Sequence, residues 1–215
     1  MEIARIGRDG LTRYVLRQLD HVVPDGRDAS AVVAAHLDTA LGRLRHCIAG
    51  VRAWPQEQFD YLHSTQYCLF LYYLANSIWR ATGETEVPTK LFLLNKALNG
   101  IDCFYEIELP EVMFIGHSVG IVLAKATYGE QLVLYQNSTV GKNHGVAPVI
   151  GAGVVMYANT AIIGRCNVGA GTVVAQGTSI VNRDTPGACI AFAAGHGELA
   201  FKALRRPVLD DIFRR

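Results

Sequence analysis

The stretch Ile150-Gly-Ala-Gly-Val-Val-Met156-Tyr-Ala-Asn-Thr-Ala-Ile162-Ile-Gly-Arg-Cys-Asn-Val168-Gly-Ala-Gly-Thr-Val-Val174-Ala-Gln-Gly-Thr-Ser-Ile180 places an aliphatic residue or Met at every sixth position. A helix repeats its apolar face every three to four residues, and a simple strand every two. A period of six in one unbroken phase instead marks a solenoid in which each unit adds one face of a turn. Between the anchors stand mostly Gly, Ala, Asn, Thr and Ser, which tolerate tight turns. One such unit cannot bury its anchor alone. Coils must therefore stack, and the core becomes a ladder of aliphatic side chains along the axis. The competing reading, an ordinary antiparallel sheet, has no reason to hold six anchors in phase.

Ahead of the repeat the periodicity changes. Asp28 or Ser30 can cap a helix whose apolar residues Val33, Leu37, Leu41, Leu44, Ile48 and Val51 recur at spacings of three and four. Pro24-Asp25-Gly26 separates it from an earlier helix over about 11–22, and Trp54-Pro55 ends it. A longer helix is predicted over 56–81, apolar nearly all round in its middle and so buried between helices or subunits. The last is predicted from about Thr89 to Leu98, stopped by Asn99-Gly100. The chain thus reads as α+β: an all-helical domain over 1–100, a parallel β-helix over 101–200 and a C-terminal tail over 201–215. The basic pairs Arg205-Arg206 and Arg214-Arg215 read as solvated.

With 215 residues, half of them hydrophobic, the chain can bury a substantial core. A net charge of +1 argues against a dominant electrostatic surface for nucleic acid or anionic lipid. The longest apolar stretch, about 67–75, is too short to span a bilayer. The opening residues mix Glu, Arg and Asp with scattered apolar ones, unlike a secretory segment. Cys47, Cys68, Cys103, Cys166 and Cys189 are widely spaced with no Cys-x-x-Cys, which suits reduced thiols in a cytoplasmic protein. His21, His36, His46 and His63 show no metal-ligand spacing, so no metal is expected.

The hexads, the segment His117-Ser-Val-Gly-Ile-Val-Leu and the segment Leu134-Tyr-Gln-Asn-Ser-Thr-Val-Gly141 together resemble the hexapeptide-repeat acyltransferases, and within them the serine O-acetyltransferases. Likeness is greatest over 95–195, and the helical prefix agrees in order and type. The resemblance implies a left-handed parallel β-helix with three hexads per coil, a homotrimer or a dimer of such trimers, and acetyl-CoA as donor. Active sites in that family lie between neighbouring subunits.

Acyl transfer to an alcohol needs a base, because a hydroxyl near its free pKa attacks a thioester poorly. His117 matches the family's catalytic histidine. Its orienting carboxylate is expected from Glu106-Ile-Glu-Leu-Pro110, with Glu106 first and Glu108, two residues on, sharing its face if the segment is a strand. Tyr135 and Gln136 either line the acceptor side or face outward as ordinary surface residues. The resemblance further implies that small residues of stacked coils contact CoA: Gly141, Ala175, Gly177, Ala193, Ala194 and Gly195. Tight turns also need small residues. Arg183 and Lys202 are candidates for CoA phosphates by charge.

Two positions depart from the serine pattern. The family carries an acidic residue just before the catalytic histidine and an Arg-His pair before Pro-x-Ile, whereas this chain has Gly116 and Val146-Ala147. The groups that would grip an amino acid's charged ends are missing. The loop 141–147 breaks the hexad phase, and its Asn143 and His144 are either acceptor-binding or plain exposed loop. The expected activity is acetyl-CoA-dependent O-acetylation of a hydroxyl on a small molecule, sugar or glycan precursor. The alternatives are serine O-acetylation, amino-sugar N-acetylation, and a non-catalytic oligomeric scaffold.

Overall fold

The structure, a computed structural model, describes residues 1–214, with His196 described by its backbone alone. Four helices lead: α1 Arg8–Val22, α2 Ser30–Gly50, α3 Ser64–Thr82 and α4 Glu86–Asn99. Helix α3 is the centre of this half, with every residue from Thr65 to Ile78 buried against α2 and α4. Glycines in the left-handed region, Gly83 and Gly100, end α3 and α4.

Three helix starts differ from the periodicity, and α1 begins at Arg8, three residues before the expected Leu11. The segment before α3 is not helical, because Gln58–Phe59 pairs in parallel with Glu2–Ile3 and seats Phe59 fully in the core. A backbone partner distant in sequence outcompetes local helix formation there. Helix α4 begins at Glu86 rather than Thr89, since the Glu84 carboxylate accepts from the N–H groups of Glu86 at 2.7 Å and Val87 at 3.0 Å. Pro88 falls inside the first turn, where its missing N–H costs nothing.

From Asp102 the chain winds into a left-handed parallel β-helix with three faces. The first face stacks Met113–Ile115, Leu132–Leu134, Val155–Met156, Val173–Val174 and Cys189–Ala193, all parallel, and ends with the antiparallel strand Leu199–Ala203. The second stacks Asp102–Cys103, Val122–Leu123, Thr139–Gly141, Ala161–Ile163 and Ser179–Val181. The third stacks Thr127–Tyr128, Val149–Ile150 and Asn167–Val168. Successive coils lie roughly 4.8 Å apart, the spacing of hydrogen-bonded strands.

The anchors Ile150, Met156, Ile162, Val168, Val174 and Ile180 are all at most 1 % exposed, so the hexad ladder is the solenoid core. Buried hydroxyls close the turns: Ser138, Thr160 and Thr172 donate to the carbonyls of Tyr135, Tyr157 and Gly169, three residues back, at 2.7 to 2.8 Å. Arg43 of α2 fastens the helices to the first coils. Its guanidinium reaches Glu111, Asn76 and Ser77 and lies 4.7 Å over the Tyr73 ring.

The C-terminal residues do not trail into solvent. After Ala203 the chain climbs back along the coils, setting Leu209 against Gly153, and Phe213 bridges Val51 in an isolated antiparallel pair. Arg214, read from sequence as a solvated terminus, donates to the carbonyls of Ile48, Ala49, Val51, Arg52 and Trp54. Those oxygens lie at and beyond the C-terminal end of α2, where carbonyls lack helical partners and a cation is favoured.

All five cysteines are buried and unbridged. Burial disfavours the thiolate, so it pushes Cys47 and Cys103 up and Cys68 up to about 12. These three thiols should therefore resist Ellman's reagent at pH 8 in the native protein and react once it is denatured. Rapid native modification at Cys68 would contradict the burial.

Candidate active site

The corner between the first and second faces carries His117. It lies on the turn from Met113–Ile115 to Val122–Leu123, and the equivalent turns of later coils bring Gln136, Ala158 and Gln176 into line along the axis. His117 is exposed. The backbone around it is fixed: Ser118 Oγ donates to Asn99 O at 2.7 Å, and Gly120 N–H donates to Gly100 O at 2.9 Å. Gly120 takes φ +74° and Gly177 the same value, with Asn137 and Asn159 at +58° and +60° between them. Each coil thus needs a left-handed residue here, which Gly and Asn adopt most readily.

An open groove of about 580 Å³ runs along this corner. His117, Gln136 and Ala158 stand at its edge, Tyr135, Tyr157 and Ala175 line its side, and Val208 of the C-terminal strap forms a wall. Among the described residues lining it, His117 is the one imidazole, the side chain type suited to take and return a proton. Burial pushes the Tyr135 hydroxyl up, so it stays a neutral donor at physiological pH.

The residues singled out from sequence divide by corner. Gln136, Ala175, Gly177, Ala193, Ala194 and Gly195 fall on the His117 corner or directly below it. The backbone conformation alone accounts for Gly177. Gly141, Asn143, His144 and Arg183 fall toward the second-to-third corner, away from His117 of the same chain. Asn143 and Val146 exchange two backbone hydrogen bonds of 3.0 Å, which makes the loop a small closed hairpin with His144 exposed at its tip. Lys202 lies instead with Arg205 and Arg206 at the lower end of the groove, next to Ile190 and Val208.

The carboxylate expectation needs correction. Residues 105–107 form a turn, not a strand, so Glu106 and Glu108 do not share a strand face. Glu106 pairs with Lys125 at 3.3 Å and Glu108 with Arg80 at 3.6 Å. Asp102, a carboxylate that sequence reasoning passed over, is set by register beside the end of the His117 turn. It pairs with Val122, its N–H donates to Ile121 O at 2.8 Å, and Lys96 Nζ holds its side chain at 2.6 Å. The signal was the polar residue between the buried Ile101 and Cys103, an outward position on the first strand of the second face.

No protein-family model and no curated protein sequence matches the chain. Solved structures do share its fold. Serine acetyltransferase from Brucella abortus strain S19 aligns over 89 % of this chain and 83 % of its own, with TM-score 0.67 and 17 % identity. Serine acetyltransferase isoform 3 from Entamoeba histolytica, in complex with cysteine, aligns over 89 % and 72 %, with TM-score 0.62 and 19 % identity. The Neisseria gonorrhoeae serine acetyltransferase in complex with serine aligns over 89 % and 83 %, with TM-score 0.65 and 14 % identity. At these identities the likeness establishes the helical prefix and the β-solenoid.

Proposed function

We propose that this protein is an O-acetyltransferase that moves an acetyl group from acetyl-CoA to a hydroxyl of a small molecule, sugar or glycan precursor, with His117 as general base. The observation that carries the reading is His117 at the edge of an open groove, on a fold shared with serine acetyltransferases. The imidazole takes the acceptor's hydroxyl proton as the oxygen bonds to the thioester carbonyl carbon. The C–S bond then breaks, and the leaving sulfur receives the proton from the imidazolium. No acyl-enzyme is required, since each cysteine is buried. The small side chains of Ala158 and Ala175 in the groove lining leave room for the pantetheine arm. Lys202, Arg205 and Arg206 supply cations for CoA phosphates at its lower end.

Asp102 is the proposed orienting carboxylate, in place of Glu106 and Glu108. Asp102→Asn should lower kcat by roughly tenfold or more, while Glu106→Gln and Glu108→Gln stay within about twofold of wild type. Steady-state kinetics on the three variants decides among them. Equal loss in all three would remove the assignment.

Assembly belongs to the same proposal. Val122 and Val181 on the second face, Val149 on the third and Val146 in the loop are 38 to 49 % exposed, an apolar surface around the second-to-third corner. Packing of that corner against another copy in a trimer, or a dimer of trimers, would bring Asn143, His144 and Arg183 to a neighbour's groove.

The serine reading rests on the solved relatives, one of them bound to serine. Free-thiol release from acetyl-CoA, measured with serine, amino sugars and simple glycosides as acceptors, separates the two. We expect release with a glycoside and little with serine. The opposite order would favour serine, and no release alongside no CoA binding would favour a scaffold.

A further inference from the structure

Tyr135 and Tyr157 stack at 5.4 Å between ring centroids and 24° between planes, on neighbouring coils beside His117. Phe114 meets Tyr135 edge-on at 6.3 Å, and Trp54 packs on Phe114 at 5.6 Å, so an aromatic series runs from the helical half into the groove. The Tyr135 ring occupies the space over residue 116. A Cβ at that position would stand 2.5 Å from two ring carbons, so Gly116 and Tyr135 are a matched pair. A carboxylate immediately before His117 cannot be built while the ring is there. Next along the corner, Gln136 has a buried amide oxygen with no partner among the described residues, a donor-seeking group in the groove lining. Among the described residues the lining of this groove holds no carboxylate, Lys or Arg; Lys202, Arg205 and Arg206 stand in an adjoining pocket beyond Ile190 and Val208.

We propose that Tyr135 and Tyr157 are the specificity-determining wall of the acceptor site, and that the acceptor is an uncharged sugar ring. Its apolar C–H face lies against the aromatic wall, and its hydroxyl rim faces His117 and Gln136. A saturated ring edged with hydroxyls supplies an apolar face for the groove-lining sides of Tyr135 and Tyr157, and a donor for the Gln136 oxygen once the amide turns outward. An amino acid supplies two charges that nothing lining this groove pairs, and desolvating them unpaired is costly. A plain aromatic alcohol matches the wall but brings a single hydroxyl. The proposal rests on the acyl-transfer reading of the His117 corner and names its substrate class.

The test pairs two measurements on wild type, Tyr157→Ala and Tyr135→Phe. Saturation-transfer NMR reads binding of a panel of methyl glycosides, serine and benzyl alcohol, and calorimetry reads CoA binding. We expect at least one glycoside to bind wild type and serine not to. Tyr157→Ala should weaken that glycoside about tenfold or more with CoA affinity unchanged, and Tyr135→Phe should keep it within about threefold. The thermal midpoint of each variant, within a few degrees of wild type, separates lost recognition from lost fold. CoA binding with no glycoside bound, tighter binding of serine or benzyl alcohol, or unchanged glycoside affinity in Tyr157→Ala overturns the proposal. Loss of CoA binding in wild type overturns instead the acyl-transfer reading beneath it.

Discussion

Replacing His117 by Gln should lower kcat for acetyl transfer by roughly 10²- to 10⁴-fold, the range lost when a positioned general base is removed. The size of the effect follows from the groove. Its other polar side chains, Tyr135, Tyr157, Gln136 and Gln176, are neutral groups that do not accept a proton near pH 7. Binding of CoA should be little changed, because the imidazole sits at one edge of the groove and leaves the small side chains and the lower cations intact. The turn should also persist, since its ties run through Ser118 and Gly120 rather than the imidazole. Rate and affinity therefore separate in this variant: a fall in kcat with CoA affinity held is the signature of lost proton transfer. A variant that transfers acetyl at the wild-type rate would remove His117 from the mechanism.

The largest expected loss of stability lies at the third-to-first corner, where an added Cβ meets backbone of the next coil. A Cβ added to Gly129 would stand 2.4 Å from Ala152 N and 2.5 Å from Gly151 C, and one added to Gly151 2.7 Å from Ala170 N. These neighbours are backbone atoms of the next coil, so no side chain can turn aside. Relief requires prying apart hydrogen-bonded strands whose own spacing is fixed. Gly129→Ala should then destabilise by about 3 kcal/mol, at the upper end of overpacking, and lower the thermal midpoint by roughly 6 to 12 °C. Gly42 in α2 provides the control of opposite sign. It is exposed, helical and has nothing within 4 Å of an added Cβ, so Gly42→Ala should stabilise by about 0.5 to 1 kcal/mol. Thermal melts of the two variants against wild type check both directions at once.

The hexad ladder was legible because a solenoid repeats locally: each anchor from Ile150 to Ile180 needs only its own coil to be recognised. Helix α2 was legible for the same reason, through its three-and-four spacing. What escaped was made by contacts between residues far apart in the chain. The Glu2–Ile3 pairing redefines the start of α3 from about sixty residues away, and Arg214 finds the end of α2 at a sequence distance of 160 or more. Asp102 escaped because its place beside the His117 turn is a matter of strand register, not of motif. The division of candidate residues between two corners likewise requires the winding. Sequence spacing alone sets Gln136 and Asn143 seven residues apart, and the coil sends them to different edges.

Gly116 shows how a departure from a pattern becomes informative once its neighbour is known. In the sequence it is a missing carboxylate. In the structure it is the floor beneath the Tyr135 ring, so a side chain at position 116 and this ring exclude one another.

The most direct test of the account is the position of CoA in a crystal structure of its complex with the protein. The account predicts the pantetheine arm along the His117 corner, past Ala158 and Ala175, with the sulfur beside the imidazole and the phosphates toward Lys202, Arg205 and Arg206. CoA bound elsewhere, with its sulfur remote from every His117 in the assembly, would contradict it.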